Sequence, residues 1–248
     1  MDILNNKQPI MELKGINFAY PGGRQVLNDL DFTLSGNDRI GLVAANGSGK
    51  TTLFHVIMGL LKPSSGSIKI FGKPVCKEKD FRDVRRRIGL LFQDADDQLF
   101  SPTVLEDVAF GPLNLGKSSF EALEISRKTL AFLGMSEFED RITFKLSGGE
   151  KRMISLATVL AMEPEVLLLD EPTTGLDNST RETLARVLDT LDMPLILISH
   201  NPDFLAVATD KIYSMENGRI LTDEQVHFHY HYHAHSRGAI PHKHKEQQ

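Results

Sequence analysis

The 248-residue chain is poor in several things, and each shortage excludes a class. Cys76 is its single cysteine, so no internal disulfide can form and a reducing compartment fits. No apolar run approaches the roughly 18–20 residues of a membrane span. The N-terminus has neither the basic nor the apolar region of a signal peptide. Basic charge is not in excess: the formal net charge is −5, which argues against a nucleic-acid partner. No internal repeat is visible. The hydrophobic fraction, 41%, is that of an ordinary globular protein, and the length suits one domain with a small subdomain.

Against this background one segment stands out. Ala44-Ala45-Asn46-Gly47-Ser48-Gly49-Lys50-Thr51-Thr52 follows the apolar run Ile40–Val43 and leads into Leu53–Met58. Strand, glycine-rich loop and helix in that order form a cradle for a nucleoside triphosphate. Small residues let successive N–H groups curl around phosphate oxygens, and the helix N-terminus adds its dipole. Lys50 is placed to reach the β- and γ-phosphates and Thr51 to ligate Mg²⁺. The loop departs from the usual pattern at its first position, where Ala44 replaces glycine. If that position needed φ > 0, alanine would cost about 1–2 kcal/mol.

Downstream, Val166–Leu169 ends in Asp170 and Glu171. A buried strand with carboxylates at its C-terminal end suits the ligand edge of an α/β sheet. Asp170 is expected to hold Mg²⁺ through water and Glu171 to polarise the attacking water. The bland reading is a core strand followed by an acidic loop. Between these halves, Leu146-Ser147-Gly148-Gly149-Glu150 opens a long apolar helix, with a hydroxyl and free N–H groups at the positive dipole end.

The ordered set of phosphate loop, Gln93, Leu-Ser-Gly-Gly, Leu-Leu-Leu-Asp-Glu, Gly175-Leu176-Asp177 and Ile198-Ser199-His200 resembles the ATP-binding-cassette nucleotide-binding domain over about residues 8–225. The resemblance implies an ATPase using ATP and Mg²⁺. It implies that Tyr20 stacks on adenine, although a strand aromatic in the core is the alternative. It implies that Gln93 senses Mg²⁺ and the γ-phosphate, that Asp177 crosses a dimer interface and that His200 contacts the γ-phosphate. It also implies a head-to-tail dimer, with ATP between Lys50 of one chain and Ser147, Gly148 and Gly149 of another. Glu150 stands where the family has Gln.

The implied fold is α/β: a cassette ATPase core with a mostly parallel sheet, an antiparallel N-terminal β-subdomain and an inserted helical subdomain. Residues 8–93 are expected to hold the β-subdomain and first part of the core, 94–162 the helices, 163–225 the rest of the core, and 226–248 a histidine-rich tail. Alternation predicts strands at 10–20 and 25–34 around Gly22-Gly23; further strands are expected at 39–44, 67–71, 88–92, 165–169, 194–198, 211–215 and 219–222. Helices are expected near 179–191 and 202–208, and from 94 to about 162, where Asp107, Gly111 and Pro112 punctuate one of them. Arg82, Arg85, Arg86 and Arg87 read as a solvated helix face.

Two features narrow the family. Gln93-Asp94-Ala95-Asp96-Asp97-Gln98-Leu99-Phe100 looks like the energising ATPase of energy-coupling-factor importers, which carry vitamins or transition metals. In that family the segment faces a transmembrane coupling subunit, so Leu99 and Phe100 are expected to be exposed anchors; the alternative is an acidic solvated loop. The second feature is the tail. His227, His229, His231, His233 and His235 alternate with Phe228, Tyr230, Tyr232 and Ala234, and seven of the nine histidines lie in the last 22 residues. Imidazoles two apart suit Ni²⁺ or Co²⁺, although a purification tag or plain polar tail is the alternative. The combined expectation is the ATPase subunit of a nickel or cobalt importer. It would be peripheral on the cytoplasmic face of the membrane, with a coupling subunit, a metal-specific membrane subunit and a second copy of itself. The alternatives are a vitamin importer ATPase and a soluble non-transport cassette ATPase.

Overall fold

The computed structural model describes residues 9–222. Its frame is two sheets. β1 (Pro9–Ala19) and β2 (Gln25–Ser35) pair antiparallel, and β4 (Ser65–Ile70) and β5 (Lys73–Pro74) continue them in the order β2-β1-β4-β5. Gly22 and Gly23 make the first turn at φ of 107° and 100°, where only glycine is unstrained. In β1 the alternating Met11 and Leu13, and then Ile16 and Phe18, are buried, which is the period of a half-covered strand.

The second sheet holds six strands in the order β10-β9-β3-β8-β7-β6. β3 (Arg39–Val43), β6 (Ile88–Leu91), β7 (Val166–Asp170), β8 (Leu195–Ile198) and β9 (Lys211–Glu216) run parallel, and β10 (Arg219–Leu221) closes a hairpin. β6, β7 and β8 are buried at every residue because both faces are covered. Leu168, Ile196 and Ile198 pack toward the antiparallel sheet and α1 (Lys50–Ile57). Leu167, Leu169, Leu195 and Leu197 pack on the opposite side with the helices.

Those helices start on explicit caps. Thr103, Ser118 and Ser147 form capping boxes with Glu106, Glu121 and Glu150, opening α3 (Val104–Asn114), α4 (Ser119–Phe132) and α5 (Gly148–Leu160). Asp177 caps α6 (Asn178–Thr190). Asn201 caps α7 (Pro202–Ala208), whose Pro202 sits at the first turn. α3 carries Asp107, Gly111 and Pro112 within it, and Asp107 is buried, accepting from the N–H groups of Phe100 and Ser101 at 3.1 and 2.8 Å. α5 lies so close to β6 that a Cβ on Gly89 would fall 2.4 Å from Val159.

The basic run lies on α2 (Glu78–Arg87), but half of it is not simply solvated. Arg87 is bidentate to Glu165 at 2.6 and 2.8 Å and its guanidinium lies 3.5 Å from the Phe71 ring centroid; Arg85 holds the Met58 carbonyl and pairs with Glu78. Of the four, Arg82 and Arg86 are exposed. Among the described residues, no helix is long and apolar enough to cross a membrane.

Candidate functional site

The sheet order places the site. β3, β8, β7 and β6 are consecutive parallel neighbours, so their C-terminal ends deliver four loops to one edge. The loop after β3 carries residues 44–49, the one after β8 carries His200, the one after β7 carries Glu171, and the one after β6 carries Gln93. One cleft of about 270 Å³ is lined by Tyr20, by every residue from Asn46 to Thr52, and by Gln93, Asp170, Glu171 and His200.

Gly47 and Gly49 take φ of 76° and 106°, which the loop's curl demands. Ala44 is not in the left-handed region, so its methyl group carries no backbone strain and the departure from glycine costs nothing there. No side chain caps the start of α1, which leaves its first N–H groups facing the cleft. The Lys50 Nζ donates to the carbonyls of Ala44 (2.7 Å) and Ala45 (3.2 Å). Burial lowers the Lys50 pKa, and the charges of Glu171 and Asp170 oppose that shift.

Thr51 Oγ1 donates to Asp170 Oδ2 at 2.6 Å, while Asp170 Oδ1 is buried with no hydrogen-bond partner. A hydroxyl, a carboxylate and an unpaired carboxylate oxygen are hard oxygen donors, and they fit Mg²⁺. Burial raises the Asp170 pKa against the opposing effects of the Thr51 bond and the Lys50 charge. Glu171 sits at φ 49°, an uncommon conformation for a non-glycine residue that is found at functional sites. Its Oε2 accepts from the His200 N–H at 3.3 Å. Its Oε1 lies 3.2 Å from His200 Nε2 but makes no hydrogen bond in proper geometry. Burial raises its pKa too, opposed first by His200. His200 Nε2 also meets Asn46 Oδ1 at 3.0 Å, a contact that ties the phosphate loop to the loop after β8.

Tyr20 is half exposed, with its ring edge-on to Phe18 (4.9 Å) and its hydroxyl 3.1 Å from Thr52 Oγ1. It is thus at the cleft wall and outside the core. The remaining expected site residues are not in this cleft. Gly148 lines an adjoining cavity of about 780 Å³ with Thr51, Gln93 and Gly175. Ser147 caps α5, accepting from the Glu150 N–H at 3.3 Å, and Glu150 accepts from the Ser147 N–H at 2.7 Å and from Arg141 at 3.2 Å. These bonds, the Ser147 N–H first, hold Glu150 below the usual carboxylate range. Glu in place of Gln therefore completes a capping box. Asp177 is exposed, and its bond from the Thr180 N–H (2.8 Å) leads the causes that lower its pKa.

The acidic segment after Gln93 differs from its expectation. Leu99 is core, 9% exposed, whereas Phe100 is 65% exposed. Gln98 turns inward: it accepts from the Phe92 N–H at 3.1 Å and donates to Ser155 O and Thr158 Oγ1, both at 2.8 Å. A helical turn at 95–97, capped by Asp94, buries Ala95 and Leu99 together and leaves Phe100 at the surface. Sequence reasoning also missed Arg152, buried in α5 with its guanidinium on the carbonyls of Phe92 (2.6 Å) and Gln93. Its signal was present: Arg152 shares a helix face with Leu156 and Val159 at apolar spacing. His227, His229, His231, His233 and His235 lie outside the described residues. Among those described, no group of three or more His, Cys, Asp or Glu side chains could hold a metal ion.

Fold and cleft together define a phosphate-loop ATPase built on a mostly parallel sheet. The ABC transporter family model matches residues 27–174, more than half of the chain, and the protein belongs to that family as an ATP-hydrolysing, ATP-binding subunit. It is 42% identical to the energy-coupling factor transporter ATP-binding protein EcfA of Methanocaldococcus jannaschii, over 86% of this chain and 78% of that one. It is also 42% identical to the cobalt import ATP-binding protein CbiO of Rhodobacter capsulatus, over 87% and 78%. The solved structure of cbiO1 from Clostridium perfringens, part of the ABC transporter complex cbiONQ, superposes with a TM-score of 0.76 at 34% identity, covering 86% of this chain and 87% of that one.

Proposed function

We propose that this protein is the ATPase subunit of an energy-coupling-factor importer for a transition metal, nickel or cobalt. It would act on the cytoplasmic face of the membrane as a homodimer bound to a coupling subunit and a metal-specific subunit. The observation that carries the reading is the likeness, over most of the chain, to a cobalt import ATP-binding protein and an EcfA protein. The histidine run at 227–235 supports a metal over a vitamin, because imidazole nitrogens suit Ni²⁺ and Co²⁺. The second reading is a vitamin importer of the same kind, since the EcfA relative is an energy-coupling factor transporter protein whose name carries no metal.

In the proposed reaction Lys50 and the N–H groups of residues 47–51 hold the phosphates, and Tyr20 stacks on the adenine. Thr51, Asp170 and Gln93 would hold Mg²⁺, which when bound would supply charge neutralisation at the phosphates. Glu171 takes a proton from the water that attacks the γ-phosphate, and its raised pKa suits a base. His200, already bonded to Asn46 and held by Glu171, faces the γ-phosphate. Ser147, Gly148 and Gly149 of a second chain close over the nucleotide, with Asp177 at the junction. The absence of Ser147, Gly149 and Asp177 from the cleft of their own chain agrees with a site completed by a partner.

A surface groove supports the membrane partner. Leu60, Leu90, Phe92, Phe100, Phe110 and Met162 line a cleft of about 330 Å³, and the Phe100 and Phe110 rings meet edge-on at 4.7 Å. Exposed aromatic anchors beside the Gln93 loop suit a docking helix that feels nucleotide state.

The test is uptake. The chain, expressed with its membrane partners and reconstituted in vesicles, should import radiolabelled Ni²⁺ or Co²⁺ with ATP, and Lys50→Ala should abolish import. ATP-driven uptake of a vitamin without metal uptake would overturn the metal assignment and favour the second reading.

A further inference from the structure

We propose that Arg152 is a positioning residue for ATP hydrolysis, coupling Gln93 to the Ser-Gly-Gly turn at the head of its own helix. Side-chain bonds tie the segment 92–98 to α5. Arg152 donates to the carbonyls of Phe92, at 2.6 Å, and Gln93. Lys151 pairs with Asp96. Gln98 reaches Ser155 O and Thr158 Oγ1 while its own oxygen holds the Phe92 N–H. Phe92 is therefore held at its N–H through Gln98 and, with Gln93, at its carbonyl by Arg152, and both holds lead to the helix that Ser147 caps.

Arg152 is the costly member. It is 5% exposed, and no carboxylate lies within ion-pair distance of it among the described residues. Burial lowers its pKa, opposed by the more distant charges of Asp94, Asp170 and Glu171. An apolar side chain at this position would avoid that desolvation. What an apolar residue cannot do is hold two consecutive carbonyls in a fixed plane, which the forked guanidinium does.

The mechanical consequence follows from geometry. Gln93 lines both the phosphate cleft and the cavity shared with Gly148 and Gly175. Movement of α5 that carries Ser147 toward the nucleotide of a second chain carries Gln93 with it. One chain would then sense its partner's nucleotide through Ser147 and adjust its own site through Gln93. This coupling rests on the reading that ATP lies between two chains.

The experiment uses the full-length chain and the variants Arg152→Met and Arg152→Lys. Four quantities are measured: ATP affinity, melting temperature, the Mg²⁺ concentration for half-maximal turnover, and kcat per bound ATP. Misplacing a ligand by about 1 Å costs roughly 10²-fold in rate. Arg152→Met is therefore expected to lose kcat on that scale and to need more Mg²⁺, with ATP affinity within about twofold of the parent. Arg152→Lys, which keeps the charge and one contact, should recover part of the loss. Unchanged kcat per bound ATP and unchanged Mg²⁺ demand in Arg152→Met would overturn the proposal. So would a loss of activity explained by a smaller folded fraction. If Arg152→Met does not fold, Arg152→Lys decides: reduced kcat per bound ATP supports the coupling, and parental kcat overturns it. ATP-driven dimerisation of Glu171→Gln is measured in parallel, so that failure of the two-chain reading shows separately.

Discussion

Thr51 and Asp170 are 119 residues apart in the chain, and the hydroxyl of the first donates to the carboxylate of the second at 2.6 Å. The bond joins the phosphate loop to the end of β7 across the intervening β8, and the second carboxylate oxygen is left buried and unpaired. The pair is the core of the proposed Mg²⁺ site. Removing the hydroxyl with Thr51→Val should raise the Mg²⁺ concentration for half-maximal turnover by about 10–100-fold, the scale of losing a group that supports a metal. A Mg²⁺ titration of ATPase activity checks this, and an unchanged midpoint would remove Thr51 from the site.

Glu171→Gln should keep ATP binding, trap an ATP-bound dimer and slow turnover by about 10²-fold or more. Its effect on stability is expected to have the opposite sign. Burial raises the Glu171 pKa, so holding it ionised costs stability above that value, and the cost vanishes as pH falls through it. The variant should thus melt higher than the parent at neutral pH, by roughly 2–4 °C for each kcal/mol relieved in a domain of this size. The gap should close as pH falls. Turnover by the parent should fail at a higher pH than a free glutamate would dictate. Melting curves and rates across pH 5–8 test both limbs.

Glu150→Gln should be close to neutral, because Gln can return the same capping-box bond to the Ser147 N–H. Ser147→Ala should cost about 1 kcal/mol of stability through the lost cap. If Ser147 also meets nucleotide in a second chain, this variant should lose turnover beyond what its stability explains. Urea unfolding alongside ATPase assays separates the two effects.

The groove separates two neighbours. Phe100→Ala should weaken assembly with the membrane subunits while leaving nucleotide affinity and folding intact, because its ring is exposed. Leu99→Ala should instead destabilise the chain by about 2–5 kcal/mol, as buried Leu truncations do. Co-purification and urea midpoints for each single variant give the answer, and intact assembly in Phe100→Ala would move the docking surface elsewhere.

Truncation after Val226 should leave ATP binding unchanged and remove Ni²⁺ binding by the isolated subunit. Binding by the full chain should fade below about pH 6, because imidazole must be neutral to coordinate. Calorimetric titration of both proteins with Ni²⁺ tests the tail; equal stoichiometry would return it to a polar extension.

What the amino-acid order determined by itself was local chemistry. A curled phosphate loop needs Gly47 and Gly49 beside Lys50 and Thr51, a helix cap needs Ser147 three residues before an acid, and a strand that ends in carboxylates reads as Val166–Glu171. Each requirement is met by residues a few positions apart, so the spacing is legible, as is the alternation of β1 and β2. Tertiary structure decided which loops meet. β8 inserts between β3 and β7, and that alone brings His200 to Asn46 and Glu171. It also decided direction within the acidic segment, where one helical turn buries Leu99, turns Gln98 toward α5 and leaves Phe100 at the surface. Arg152 was hidden for the same reason: a cation among apolar positions shows its purpose only when the carbonyls it holds, 60 and 59 residues earlier, are packed against it. Short-range spacing records what a backbone must do, whereas partners chosen by burial across the chain are settled only when the core closes.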